Sequence, residues 1–168
     1  MIVTLTKEEV RACADVALNR WMMKWDSTDR PNYAGANKAK LEPEVTANIR
    51  TIVTEYAVSK LYKTPLVFPF YDNSEHAWRS KFPDVMPNFE VKSIRTKDAV
   101  PLFKKDNKPG YLLVGTFVLN TTTFAEVDVF GWLPIEEGFK DEFWSPSEGF
   151  WRIPKDKFND TIPEVPSV

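Results

Sequence analysis

The spacing of apolar positions changes once along this chain. It is helical as far as Tyr62 and close to two from Leu66 onward. Thr6-Lys7-Glu8-Glu9 has the pattern of a capping box, with Thr6 as N-cap and Glu9 three residues in. The helix it opens is expected from Lys7 to Trp25, with Val10, Cys13, Ala14, Ala17 and Trp21 on one apolar stripe. Pro43 suits the first turn of a second helix reaching Tyr62, on which Ile49, Ile52, Val53, Tyr56 and Leu61 recur at helical spacing. Glu55 falls at the edge of that stripe, where a carboxylate is costly unless it is paired or faces a metal. Between the helices, Asp26 to Lys40 is polar and holds Pro31 and Gly35. A loop of that length is either a plain connector or functional, and Lys38 and Lys40 make it a candidate flap over a polyanion.

The second half predicts short strands separated by breakers. Leu66–Phe70 is a strand bounded by Pro65 and the turn Asp72-Asn73-Ser74, and Glu75–Ser80 is a short turn or helical piece. A strand is expected at Phe89–Ile94, a short one near Val100–Phe103, and a long buried one at Tyr111–Leu119. Asn120-Thr-Thr-Thr then turns the chain into Phe124–Trp132, where Val127 and Val129 face away from Glu126 and Asp128. Pro134–Gly138 is a helical turn, Phe150–Ile153 a last strand, Pro154–Phe158 a terminal turn, and the tail from about residue 160 is expected to fray. Helices and strands are segregated. The expected fold is therefore α+β in a single domain over 1–168, a mixed and mainly antiparallel sheet of about five strands with the two N-terminal helices packed on it.

Composition narrows the chemistry. At 43% hydrophobic and 14% aromatic, 168 residues can bury a core. One cysteine, Cys13, excludes an internal disulfide and a Cys-rich zinc site, and its place on the apolar stripe marks it as core. His76, the lone histidine, cannot anchor a nitrogen metal site by itself. No cationic leader and no run of about 18 apolar residues is present, so no membrane partner and a cytoplasmic setting are expected. The net charge of −2 conceals a strong asymmetry. Arg79–Lys108 carries eight Lys/Arg against four Asp/Glu, whereas Glu126 to the end carries four against ten. A locally basic cleft can attract a polyanion even on an acidic protein.

The basic segment surrounds the most informative stretch, Phe82 to Arg95. Asp84 stands at a turn, and Glu90 and Lys92 lie two apart in a strand, so they share one face. A carboxylate and an amine side by side, with a second carboxylate arriving from a turn, form a candidate cation site with a group to position water. Glu55, Pro83-Asp84 and Glu90-Val91-Lys92, in that order, resemble the PD-(D/E)XK nuclease superfamily, the restriction-endonuclease-like fold. The resemblance covers residues from about 43 to 132, and Gly131-Trp132 with Arg152–Phe158 is similar to small, often phage-borne members. It implies a Mg²⁺-dependent nuclease acting on DNA, with Mn²⁺ as an alternative ion. Asp84, Glu90 and the Val91 carbonyl would be metal ligands, and Glu55 would join them through water or hold a second cation. Lys92 would position the attacking water, and Arg95 and Lys97 would contact phosphate. The Asp84–Glu90 gap is short for the superfamily and requires a tight hairpin, for which Met86-Pro87-Asn88 is suited.

No sequence-reading module accompanies this motif, so the expected nuclease is structure-selective or only weakly sequence-specific, alone, as a homodimer or with a protein partner. Two other readings compete with it. One is a non-catalytic protein on the nuclease fold that binds nucleic acid or a host protein, such as a phage anti-defence or accessory factor. The other is an α+β domain in which Glu90 and Lys92 form a surface ion pair worth less than about 1 kcal/mol.

Overall fold

A computed structural model describes residues 1–23, 44–66, 82–95 and 98–164. Of the expected strand Leu66–Phe70 only Leu66, which bridges Val85, lies within these residues; the piece at 75–80, His76, Lys38, Lys40, Lys97 and the last four residues of the tail lie outside them. The described elements are β1 (Ile2–Thr4), α1 (Lys7–Met23), α2 (Glu44–Tyr62), β2 (Phe89–Ile94), β3 (Ala99–Leu102), β4 (Leu112–Val118), β5 (Glu126–Pro134), β6 (Trp144–Ser145) and β7 (Phe150–Pro154), with 3-10 turns between the later strands.

The α1 start is the capping box expected. Glu9 N donates to Thr6 Oγ1 at 3.2 Å and Thr6 N donates to Glu9 Oε2 at 2.7 Å, which satisfies two orphan amides of the first turn. α2 is buried over much of its circumference, with Ile52, Val53, Ala57 and Val58 all fully covered. It is packed between α1 and a sheet, which demands apolar residues on more than one stripe.

The strands form two sheets where one was expected. The first has the order β1-β5-β4-β2, with β2 and β4 parallel and the other pairs antiparallel. The second, β3-β7-β6, is antiparallel throughout. Two cores follow from the alternation of strand faces. Phe89, Val91, Val114, Val127 and Val129 pack with Ile52, Val53 and Val58 of α2 on one side of the first sheet. Ile94, Leu113, Phe130 and Leu133 pack with Val100, Leu102 and Ile153 of the second sheet on the other. The helices thus cover one face, as expected, and the second sheet covers the opposite face. β1 was not legible as a strand. Its three residues pair with Glu126–Asp128 and seal the edge of β5.

A bulge lets β5 serve both cores. Gly115 pairs with Gly131 but Thr116 pairs with Val129, so Phe130 is the extra residue. The alternation of Val127 and Val129 reverses there, and Phe130 turns into the second core. A Cβ on Gly115 would overlap the Phe130 ring, so only glycine leaves room for it.

Candidate active site

Asp84 reaches β2 through a tight turn. Phe89 and Val85 exchange backbone hydrogen bonds at 2.9 and 3.2 Å, and Asp84 N also donates to Phe89 O at 3.0 Å. The Met86–Pro87 bond inside the turn is cis, and Asn88 Nδ2 ties it to Gly110 O at 2.8 Å. This is the hairpin that the short Asp84–Glu90 spacing required. Within it the Asp84 carboxylate folds back onto the strand, and Oδ2 accepts from Val91 N at 2.9 Å.

The backbone of β2 then places Val91. Asn88 O accepts from Leu112 N and Lys92 O accepts from Thr116 Oγ1, so the even-numbered positions face β4. Successive peptide groups of a strand alternate sides, so Phe89 and Val91 turn N–H and C=O the other way, toward Asp84. The Val91 carbonyl and the Asp84 carboxylate therefore lie along the same edge of β2.

Glu90 and Lys92 share a face, as the spacing predicted. It is the face toward the second sheet, since Glu90 pairs with Leu113 and Ile94 joins the second core. Lys92 Nζ is 3.6 Å from Glu90 Oε1, but its shorter contact is 2.8 Å to Asp106 Oδ1. Asp106 is buried in the 3-10 turn Lys104–Asp106, and its other oxygen accepts from Phe103 N at 2.8 Å. Lys108 Nζ approaches Glu90 Oε2 at 2.6 Å. Asp106 and Lys108 were not singled out by sequence, because a charged run between Leu102 and Pro109 carries no periodic signal. Their role depends on the 3-10 turn that brings the run back over β2.

The electrostatics of the cluster reflect burial and crowding. Burial, followed by repulsion from Asp84, raises the Glu90 carboxyl above its usual range, against the opposing pull of Lys92 and Lys108. For Lys92 burial is the largest single effect and favours the neutral amine, but Asp106, Glu90 and Asp84 together outweigh it and the ammonium is held more firmly than usual. Lys92 is thus a fixed cation, suited to positioning and charge stabilisation.

Glu55 lies elsewhere. It is 2% exposed, on the helix side of the first sheet, and its Oε2 is 3.5 Å from Arg20 Nη2 of α1. Its charge is felt by Cys13, also on α1. The expected convergence of Glu55 with the other three is therefore not what these contacts show. Among the described residues no three His, Cys, Asp or Glu side chains sit close enough to hold one ion. Arg95 is exposed just past the end of β2.

No protein-family model, curated protein or solved structure matches this chain. Among the described residues no helix is long and apolar enough to cross a membrane.

Proposed function

We propose that the chain is a Mg²⁺-dependent nuclease acting on DNA, built on a restriction-endonuclease-like core in which the Asp84 turn and β2 carry the motif. The observation that carries this reading is the meeting of Asp84, the Val91 carbonyl edge and Glu90 beside a clamped Lys92. Carboxylate and carbonyl oxygens are the donors that hard divalent cations prefer. The repulsion between Asp84 and Glu90 is the kind of strain that a cation relieves. Asp84, Glu90 and the Val91 carbonyl would hold Mg²⁺ or Mn²⁺. Glu55 has no part in this set, because its carboxylate is engaged by Arg20 in the helix layer.

A bound divalent ion supplies charge neutralisation at the phosphate and acidity to a coordinated water. The protein's own groups do the rest. Asp106 fixes the Lys92 ammonium at 2.8 Å, where it can orient the attacking water and offset charge on the phosphoryl oxygens. The raised Lys92 value makes it a poor base, so the proton of the attacking water would pass to bulk solvent. Lys108 occupies Glu90 Oε2 and competes with a cation for that oxygen.

A second reading has its own support. Glu90 and Asp106 are each matched by an ammonium, and such a self-neutralised network serves equally as the scaffold of a non-catalytic protein that binds nucleic acid or another protein. Incubating the purified chain with supercoiled, linear and branched DNA, with Mg²⁺ or Mn²⁺, separates the two. Ion-dependent cleavage supports the nuclease. Retardation of DNA without cleavage under any ion supports the binding protein.

A further inference from the structure

Beside Lys92 the molecule opens into a cleft of about 510 Å³. One wall is the end of β2 from Lys92 to Arg95, and the other is the outer face of the second sheet. That face is set by alternation. Val100, Leu102 and Ile153 point into the core, so Ala99, Pro101 and Arg152 point out, with Phe103 and Phe150 continuing the same rows. Phe103 is 44% exposed, and its ring is 5.2 Å from that of Phe150, tilted by 48°. Phe103 is exposed and Phe150 half-buried, so part of an aromatic surface lines the open cleft.

Cations stand around this aromatic platform. Lys105 Nζ is 6.0 Å from the centre of the Phe103 ring. Arg152 and Arg95 enter from opposite walls. Arg152 touches Glu148 at 3.5 Å, but both side chains are well exposed, and such pairs bind weakly enough to be exchanged for a phosphate. The volume is in the range of small-ligand sites. An aromatic ring face, flanking guanidinium groups and continuity with Lys92 match a base, its phosphate and the next phosphate along a nucleic-acid strand.

We propose that this cleft seats one unstacked base of single-stranded DNA against Phe103 and Phe150, with its flanking phosphate on Arg152 and the strand running on toward Lys92. The inference rests on the nuclease reading for the direction of the strand, and it adds the substrate class. A base within a duplex is stacked on both faces and cannot offer one to Phe103, whereas a base in a single strand, flap or frayed end can. Recognition is by stacking and charge, so it is sequence-tolerant, in keeping with the absence of a base-reading element among the described residues.

The test is equilibrium binding by fluorescence anisotropy, with the full chain and EDTA present so that no cleavage intervenes. The probes are a fluorescein-labelled thymidine oligonucleotide, the same length of abasic strand, and a duplex of that length. The thymidine strand is expected to bind at least about fivefold more tightly than the abasic strand, the scale of one base–aromatic stack. Phe103→Ala should remove that preference while leaving abasic binding unchanged, and Phe103→Tyr should retain it. Arg152→Ala should weaken both single strands alike and flatten their salt dependence. Equal binding of thymidine and abasic strands by the wild type, tighter binding of the duplex, or an unaltered preference in Phe103→Ala overturns the proposal. Cleavage assays keep the two readings apart. Base-dependent binding without Mg²⁺-dependent cleavage leaves the cleft standing and removes the nuclease, and cleavage without base-dependent binding does the reverse.

Discussion

At the scale of single residues the site is a contest for Glu90. Two ammonium groups and a candidate cation address the same carboxylate, and Lys108 has the shorter contact, 2.6 Å. Lys108→Met should therefore lower the Mg²⁺ concentration for half-maximal cleavage by about two- to fivefold, the range a partly exposed ion pair can supply. A higher Mg²⁺ requirement in this variant would show that Lys108 assists the ion. Another titratable residue tests the α1 start. Glu9 is lowered by its hydrogen bond from Lys60, then by that from Thr6 N, while burial opposes both. Its folded value lies below the usual 4.5, so its contribution is fully present above 4.5 and is lost as pH falls through the folded value. Glu9→Gln keeps the capping acceptor but not the charge. Urea titrations should show the variant less stable than wild type near neutrality, with the difference shrinking in acid. Cys13 is a third case. Burial first, then Glu55 and Glu9, push its thiol up to about 12, so disulfide reagents should label it only at the rate of unfolding.

At the scale of elements, what was legible followed from local pattern. The capping box, the buried face of α1, the facing of Glu90 and Lys92 and the hairpin before β2 were all carried by residues within a few positions of one another. What was not legible depended on distant partners. β1 is three residues that gain strand character only by pairing with Glu126–Asp128. The β5 bulge is invisible in an alternating run until Gly115 is placed opposite Gly131, and only then does Phe130 have a pocket. Gly115→Ala should cost about 1–3 kcal/mol, because the new methyl overlaps that ring and the core must shift. A change below a few tenths in urea unfolding would show that the ring relocates freely. The α1–α2 seam has a similar dependence. Glu55 was expected beside the cation site, but Arg20, one long side chain on another helix, claims it. Losing one partner of a buried pair costs about 3–5 kcal/mol. Glu55→Ala should show that loss in thermal unfolding, and any folded fraction should keep the Mg²⁺ requirement of the wild type.

At the scale of the whole molecule, α+β segregation and helices on one face were readable from the order of periods along the chain. The split into two sheets was not, since Val100 and Ile153, which pair across β3 and β7, are 53 positions apart, and nothing local announces the partner. That second sheet matters for function. It forms the core behind Ile94, carries Phe103 to the rim and places Arg152 across from β2, so the basic segment and the acidic C-terminal part of the chain meet at one cleft. The functional claim stands on a smaller set: Asp84, Glu90, the Val91 carbonyl and Lys92. Its most direct measurement is cleavage of DNA carrying single-stranded segments by wild type, Asp84→Asn, Glu90→Ala and Lys92→Ala, with each variant's fold checked by circular dichroism and each reaction run with Mg²⁺ and with EDTA. The account predicts cleavage by wild type with Mg²⁺ alone and a loss of at least about a hundredfold in every variant. Cleavage that survives Asp84→Asn and Glu90→Ala together, or a folded wild type that never cuts, would contradict it.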